Sequence, residues 1–263
     1  MKHIVYTKDT ESEYYQNIIK LTMPYYIGVD VGSGSVRACI INEDGNILSL
    51  EEMRISKEEL KPECITQSSE EIWETVCYVV KRVIEESKVE STNINGIGFD
   101  ATCSLVVIDE ETGNPIAVGP NYNDNSRNII MWMDHRVVKE TDYINATEHC
   151  CLNYVGGKMS VEMELPKIKW LKNNMAKDDF GRCKFFDLVD YLTFKATNID
   201  SRSFSSAVCK QGMLSLGVEG STEGWSRSFL KNIKLEELTA NDFAKIGGPI
   251  KANKDSRSFL SAG

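Results

Sequence analysis

What this 263-residue sequence lacks removes several classes of function. Positive charge is short: 30 Lys and Arg stand against 39 Asp and Glu, a formal net charge of −9. A surface that grips a nucleic-acid backbone needs a basic patch, so nucleic acid is not an expected partner. The same deficit leaves a nucleoside triphosphate open, because its phosphates are met by metal and a few local donors. No apolar run approaches membrane-spanning length, and residues 1–23 hold no apolar signal core. The expectation is a cytoplasmic chain without a membrane partner. The eight cysteines show neither a C-x-x-C pair nor Cys/His zinc spacing, and several lie in apolar runs, as reduced core thiols do. The Asn145-Ala146-Thr147 sequon is idle in such a setting.

What is present describes a soluble globular protein, with 41% hydrophobic and 26% charged residues. The length suits one large α/β domain or two small ones. Its focus is residues 25–41, Y-Y-I-G-V-D-V-G-S-G-S-V-R-A-C-I-I. Two β-branched runs flank Gly32, Ser33, Gly34 and Ser35, which predicts a tight strand-turn-strand. Asp30 sits among Ile27, Val29 and Val31, where a buried carboxylate is costly unless a cation or donors meet it. Glycines beyond it let backbone N–H groups approach a phosphate, and Ser33, Ser35 and Arg37 add donors. Two readings follow: a phosphate-and-magnesium hairpin, or an ordinary hairpin whose Asp caps the turn.

In chain order, 1–23 reads as a polar extension, 42–46 as a turn and 47–50 as a third strand in one sheet. Ser68 and Glu71 have capping-box spacing, and Ile72, Val76, Val79, Val80 and Val83 repeat at helical period. A short buried strand is expected at 94–99 and another at 105–108, followed by a turn at 111–115. Residues 129–132 read as a second buried strand ending in Asp134-His135-Arg136. Helices are expected at 137–150, 165–173, 187–196 and 236–245, and a strand at 204–213 containing Lys210. Three strand ends thus deliver polar groups: Asp30, Asp100 with Thr102, and Asp134 with Arg136. Ligands of open α/β sheets gather at such ends. Ser226-Arg227-Ser228-Phe229-Leu230 recurs as Ser256-Arg257-Ser258-Phe259-Leu260, too few copies for a solenoid.

Five segments then act together: D-V-G-S-G-S-V-R (30–37), G-F-D-A-T-C-S-L-V-V (98–107), I-M-W-M-D-H-R (130–136), Y-V-G-G-K-M-S-V-E-M (154–163) and V-C-K (208–210). In order and spacing they resemble the FGGY family of carbohydrate kinases, in its D-ribulokinase-like pentulose branch. The resemblance implies an α/β fold of the ribonuclease-H-like, actin/hexokinase/Hsp70 ATPase type, a mixed sheet with helices on both faces. It implies transfer of the ATP γ-phosphate, with Mg2+, to a terminal hydroxyl of a ketopentose, D-ribulose first. Asp30 would hold the magnesium shell or orient the hydroxyl. Gly32, Ser33, Gly34 and Ser35 would cradle the phosphate, supported by Arg37. Asp100, Thr102, Ser104, Asp134, Arg136 and Lys210 would line the sugar site. Plainer roles stand beside these: Arg37 as a strand-surface charge, Asp134 and Arg136 paired to fix their loop, Cys103 and His135 as packing residues, and Glu162 on a solvated face.

The resemblance covers 24–246, while 247–263 reads as an irregular tail. Family members carry a second domain with the adenine site and a Gly/Asp motif holding the general base. No such motif follows Gly247, so the expectation is an N-terminal kinase half. The alternative is a non-catalytic sugar- or phosphate-binding remnant. Either is expected to self-associate through the face a second lobe would cover.

Overall fold

The computed structural model describes residues 24–215, 217–220 and 224–248. The expected N-terminal extension and the second Ser-Arg-Ser-Phe-Leu copy lie outside the described residues. In chain order the elements are β1 (Tyr25–Val31), β2 (Ser35–Asn42), β3 (Ile47–Arg54), β4 (Glu58–Lys61), β5 (Cys64–Gln67), α1 (Ser69–Ser87), β6 (Ile94–Ala101), β7 (Leu105–Asp109) and β8 (Ile129–Ile130). There follow α2 (Val138–Asn145), α3 (Glu164–Asn174), α4 (Lys177–Arg182), β9 (Cys183–Asp187), α5 (Leu188–Thr197), α6 (Phe204–Gln211) and α7 (Arg227–Asn232). The chain divides into two compact units, one built from residues up to Ile55 with Glu74–Asp100, the other from Ser56–Trp73 with Ala101 onward. No helix among the described residues is long and apolar enough to cross a membrane.

The first unit is a four-stranded sheet in the order β3-β2-β1-β6. Period-2 alternation in β1 buries Ile27, Val29 and Val31 on one face. The antiparallel register sets them against Ile40, Ala38 and Val36, so each buried residue meets a buried partner. Burying each of these branched side chains contributes about 1.5–3 kcal/mol. The expected turn forms because the Asn42 side-chain oxygen accepts from the Asp44 and Asn46 N–H groups, at 3.1 and 2.9 Å, while Gly45 takes φ +80°. Strand β6 forms where a buried strand was expected, yet none of its residues is buried. Among the described residues it is an edge strand, paired with β1 only.

Helix α1 starts as expected: the Ser68 hydroxyl accepts from the Glu71 N–H at 3.2 Å. The Glu71 carboxylate instead accepts from Ser56, at 2.8 Å from its N–H. Ile72, Val76, Val79 and Val83 are buried along one stripe.

The second unit holds a five-stranded sheet in the order β4-β5-β8-β7-β9. Its centre is β7, buried at every residue and antiparallel to both β8 and β9. A continuous apolar core runs from Leu105 and Val107 through Leu165, Ile168 and Phe185 to Phe229, Leu235 and Phe243. Several sequence expectations are corrected here. The strand expected at 204–213 is helix α6, because Ser203 caps its first turn and Gly212 ends it in the left-handed region at φ +71°. The helix expected at 137–150 stops at Asn145, and a 3-10 turn at Cys150–Val155 follows Glu148, which lies at φ +49°. The helix expected at 236–245 is two 3-10 turns, Glu236–Thr239 and Ala244–Ile246, separated by Asn241, Asp242 and Phe243 at positive φ. Strand β8 is only Ile129–Ile130, and β9 stands just before the expected helix at 187.

Candidate active site

In the first unit the strand alternation that buries Val29 and Val31 turns Asp30 outward. The expectation of a buried carboxylate is therefore corrected: the Asp30 side chain is 51% exposed. Its charge is met by Arg37, its direct cross-strand partner, with Nη2 3.1 Å from Oδ2. The turn between them is closed by the Gly32 N–H donating to the Ser35 carbonyl at 2.9 Å. A Cβ on Gly32 would come 3.3 Å from Arg37 Nη2, so the missing side chain there gives the guanidinium its seat. Around Gly34 nothing lies within 4 Å of where a Cβ would stand. Ser33 and Ser35 complete the turn, both half-buried. The result is an exposed carboxylate–guanidinium pair beside a side-chain-free patch of backbone. Asp100 is exposed near the end of β6, the strand adjacent to β1. One sheet thus carries Asp30 and Asp100 on neighbouring strands.

The second unit holds the remaining predicted residues and a denser set of charges. Thr102 and Ser104 hydroxyls lie 3.4 Å apart, and Ser104 Oγ accepts from the Trp132 N–H at 3.1 Å. Asp134 is fully buried. Its oxygens accept from the Ile65 N–H at 2.6 Å and from Arg136 through Nε and Nη2, at 2.9 and 2.6 Å. Arg136 also donates to the Val118 carbonyl at 2.6 Å and lies 4.8 Å over the Trp170 ring. These bonds tie both side chains to protein partners, the loop-fixing arrangement that stands beside the sugar-site reading. Lys210 stands near the end of α6, half-buried, within electrostatic reach of Cys103 and Lys167. Burial pushes the Cys103 thiol up to about 11, which keeps it inert at neutral pH.

The group that sequence reasoning missed is Lys167, fully buried in α3. Its ammonium donates to the carbonyls of Met131, Trp132 and Glu162, at 2.7, 3.2 and 3.4 Å. Burial pulls its pKa down to about 8, against the opposing pull of Asp134 and Glu164. Glu164 and Asp187 are both fully buried, and burial raises both carboxyls above their ordinary values. Gln211 donates to Glu164 at 2.7 Å. Asp190 accepts from the Ser203 N–H at 2.7 Å and is pushed up to about 7 by burial. The only hint in the sequence was charge inside an otherwise apolar helix, E-L-P-K-I-K-W-L.

The description of the FGGY family of carbohydrate kinases, N-terminal domain, fits residues 25–237 of this chain. The chain belongs to the FGGY family of carbohydrate kinases. Among its relatives, D-ribulokinase YDR109C of Saccharomyces cerevisiae is 59% identical over 239 residues, 91% of this chain and 33% of the relative. A human FGGY carbohydrate kinase domain-containing protein is 43% identical over 86% of this chain and 39% of its own length. This FGGY chain thus spans only about a third to two-fifths of these curated relatives. Two solved structures share its fold. Xylulose kinase from Rhodospirillum rubrum superposes with TM-score 0.68 at 15% identity, over 86% of this chain and 42% of that one. Plasmodium falciparum glycerol kinase with ADP superposes with TM-score 0.66 at 17% identity, over 88% and 46%. The fold is accordingly the actin/hexokinase-like α/β fold of sugar kinases.

Proposed function

We propose that this chain is the sugar- and phosphate-facing N-terminal part of an ATP-dependent kinase that phosphorylates a terminal hydroxyl of a ketopentose, D-ribulose first. The observation that carries this reading is the 59% identity to a D-ribulokinase over 91% of the chain. MgATP supplies the phosphoryl group and the metal that neutralises its charge. The hairpin suits that group: an exposed carboxylate at Asp30, a guanidinium 3.1 Å from it, and open backbone at Gly34. Gly32, Ser33, Gly34 and Ser35 would take the phosphate end, and Asp30 the magnesium shell. Arg37 keeps the Asp30 carboxylate oriented. Asp100, Thr102 and Lys210 remain the proposed sugar contacts, with Ser104 positioning the Trp132 backbone. Asp134 and Arg136 shape the loop from beneath. The base that takes the hydroxyl proton needs hydrogen-bond reach of the sugar. We place it in the part of the relatives' length that this chain does not span. The setting is read as cytoplasmic. Self-association of the chain is supported by apolar side chains such as Ile47 and Leu50, 61% and 56% exposed on β3.

Calorimetry of the chain with D-ribulose, D-xylulose and ribitol, beside an assay for ATP-dependent phosphorylation, tests the reading. Selective D-ribulose binding is the expected result. Binding without turnover favours a sugar-binding role, for which the partial span of the relatives speaks. Absence of binding to every sugar sinks both readings. In a full-length relative, alanine at the position matching Asp30 is expected to abolish turnover without unfolding the protein.

A further inference from the structure

In the second unit, among residues given no role in sugar or phosphate chemistry, the sequence runs His149-Cys150-Cys151. Cysteine pairs adjacent in sequence seldom converge on one point, because successive side chains of an extended chain diverge. Here the chain is bent into the 3-10 turn Cys150–Val155 directly after His149, and the divergence is lost. A ring nitrogen of His149, Cys150 Sγ and Cys151 Sγ all lie within 4.8 Å of one another. The Nδ1 to Cys150 Sγ distance is 3.7 Å. Two ligands at tetrahedral angles on zinc, with Zn–S about 2.3 Å and Zn–N about 2.0–2.1 Å, stand roughly 3.5–3.8 Å apart.

The imidazole is also in the tautomer a metal needs. Nδ1 accepts from the Cys151 backbone N–H at 3.2 Å, so it carries the lone pair that a metal would take in place of that contact. Nε2 lies 3.3 Å from Ser228 Oγ and, with Nδ1 accepting, donates to it. A hydrogen bond to the distal ring nitrogen is how metal-bound histidines are oriented. The ring is further held against Phe229, with centroids 5.1 Å apart. Cys151 is 4% exposed and anchored, whereas Cys150 is exposed and opens a path for an ion.

We propose that His149, Cys150 and Cys151 form a binding site for a soft divalent cation, zinc foremost, with water in the fourth position. Two thiolates and one imidazole select zinc over magnesium or calcium, which want oxygen ligands. Binding releases the two thiol protons to solvent, and the dication with two thiolates is neutral, which suits a half-buried place. The ion exchanges the Cys151 N–H contact at Nδ1 for a metal bond. It would tie the 3-10 turn to the start of α7, where Ser226 and Ser228 stand.

The test is cobalt substitution in the reduced 263-residue chain. Titration with CoCl2 is expected to raise a near-ultraviolet sulfur-to-cobalt charge-transfer band with one-to-one stoichiometry, and ZnCl2 to displace it. Cys150→Ser, at an exposed position, should remove about half of the band and weaken zinc binding by at least tenfold. Ser228→Ala should keep the band and weaken binding by about 10–100-fold. Zinc affinity should rise with pH, by up to about a hundredfold per pH unit for two released protons. Absence of the charge-transfer band, or a band unchanged in Cys150→Ser, overturns the proposal. So does a thiol count showing Cys150 and Cys151 joined to each other before metal is added.

Discussion

The hairpin of the first unit and the charge cluster of the second each pair a carboxylate with a guanidinium, and they do opposite things. Asp30 and Arg37 meet across an exposed strand pair, their side chains 51% and 47% open to solvent. Asp134 and Arg136 meet at 0% and 3%. Water screens the first pair, so it contributes little to stability and stays available to a ligand. The second has given up its water and is held by backbone partners, so breaking it leaves an uncompensated buried charge. Sequence alone presents both as Asp and Arg near strand ends. Solvent exposure separates a pair open to the solvent from a pair that braces the fold.

The largest expected effect tests the buried side of that contrast. Arg136→Ala leaves Asp134 buried with only the backbone N–H groups of Ile65 and residue 136 as donors and no guanidinium, and should cost about 3–5 kcal/mol in denaturant unfolding. A loss below about 1 kcal/mol would falsify the bracing role.

The next effect is pH-dependent. Asp190 titrates at about 7 in the folded chain against about 3.8 unfolded. The folded state therefore binds the extra proton, and stability should fall as pH rises from about 4 to 7, by at most roughly 4 kcal/mol. Lys167 works in the other direction: its folded pKa of about 8 lies below the ordinary 10.5, so stability should rise again from about pH 8 to 10.5. Asp190→Asn keeps an oxygen for the Ser203 N–H and should flatten the fall between pH 4 and 7. A profile identical to the parent's removes Asp190 from the account.

Smaller still is the effect of opening the exposed pair. Arg37→Ala should change stability by no more than about 1 kcal/mol, most of it gone at high salt. A loss of several kcal/mol would place the hairpin pair with the buried one. Smallest of all is Gly34→Ala, whose added methyl meets nothing within 4 Å. Its melting temperature should match the parent's, and in a full-length relative the same change should nonetheless reduce phosphoryl transfer. Unimpaired transfer would remove the phosphate from that patch.

Much of the fold was legible because local patterns carried it. Alternation around Val29 and Val36, the Asn42–Gly45 turn chemistry and the Ser68 cap are short-range effects, and each formed as read. The misread segments are those where local signals were weak or divided. Residues 204–211 are rich in Ser, Ala and Cys, which favour no strand, and a cap at each end settled them as a helix. Strand β9 is five residues whose identity comes from antiparallel pairing with β7, where Asp187 lies opposite Leu105, far earlier in the chain.

By itself the sequence determined the hairpin and the family, because residue type and spacing are enough for those. Tertiary structure decided which charges face water. It turned Asp30 outward, closed Asp134 beneath its own loop, and drew Lys167, Glu164 and Asp187 into the interior along with the apolar neighbours that flank them in sequence. Burial is a property of what the rest of the chain stacks around a residue, and no local pattern holds that information.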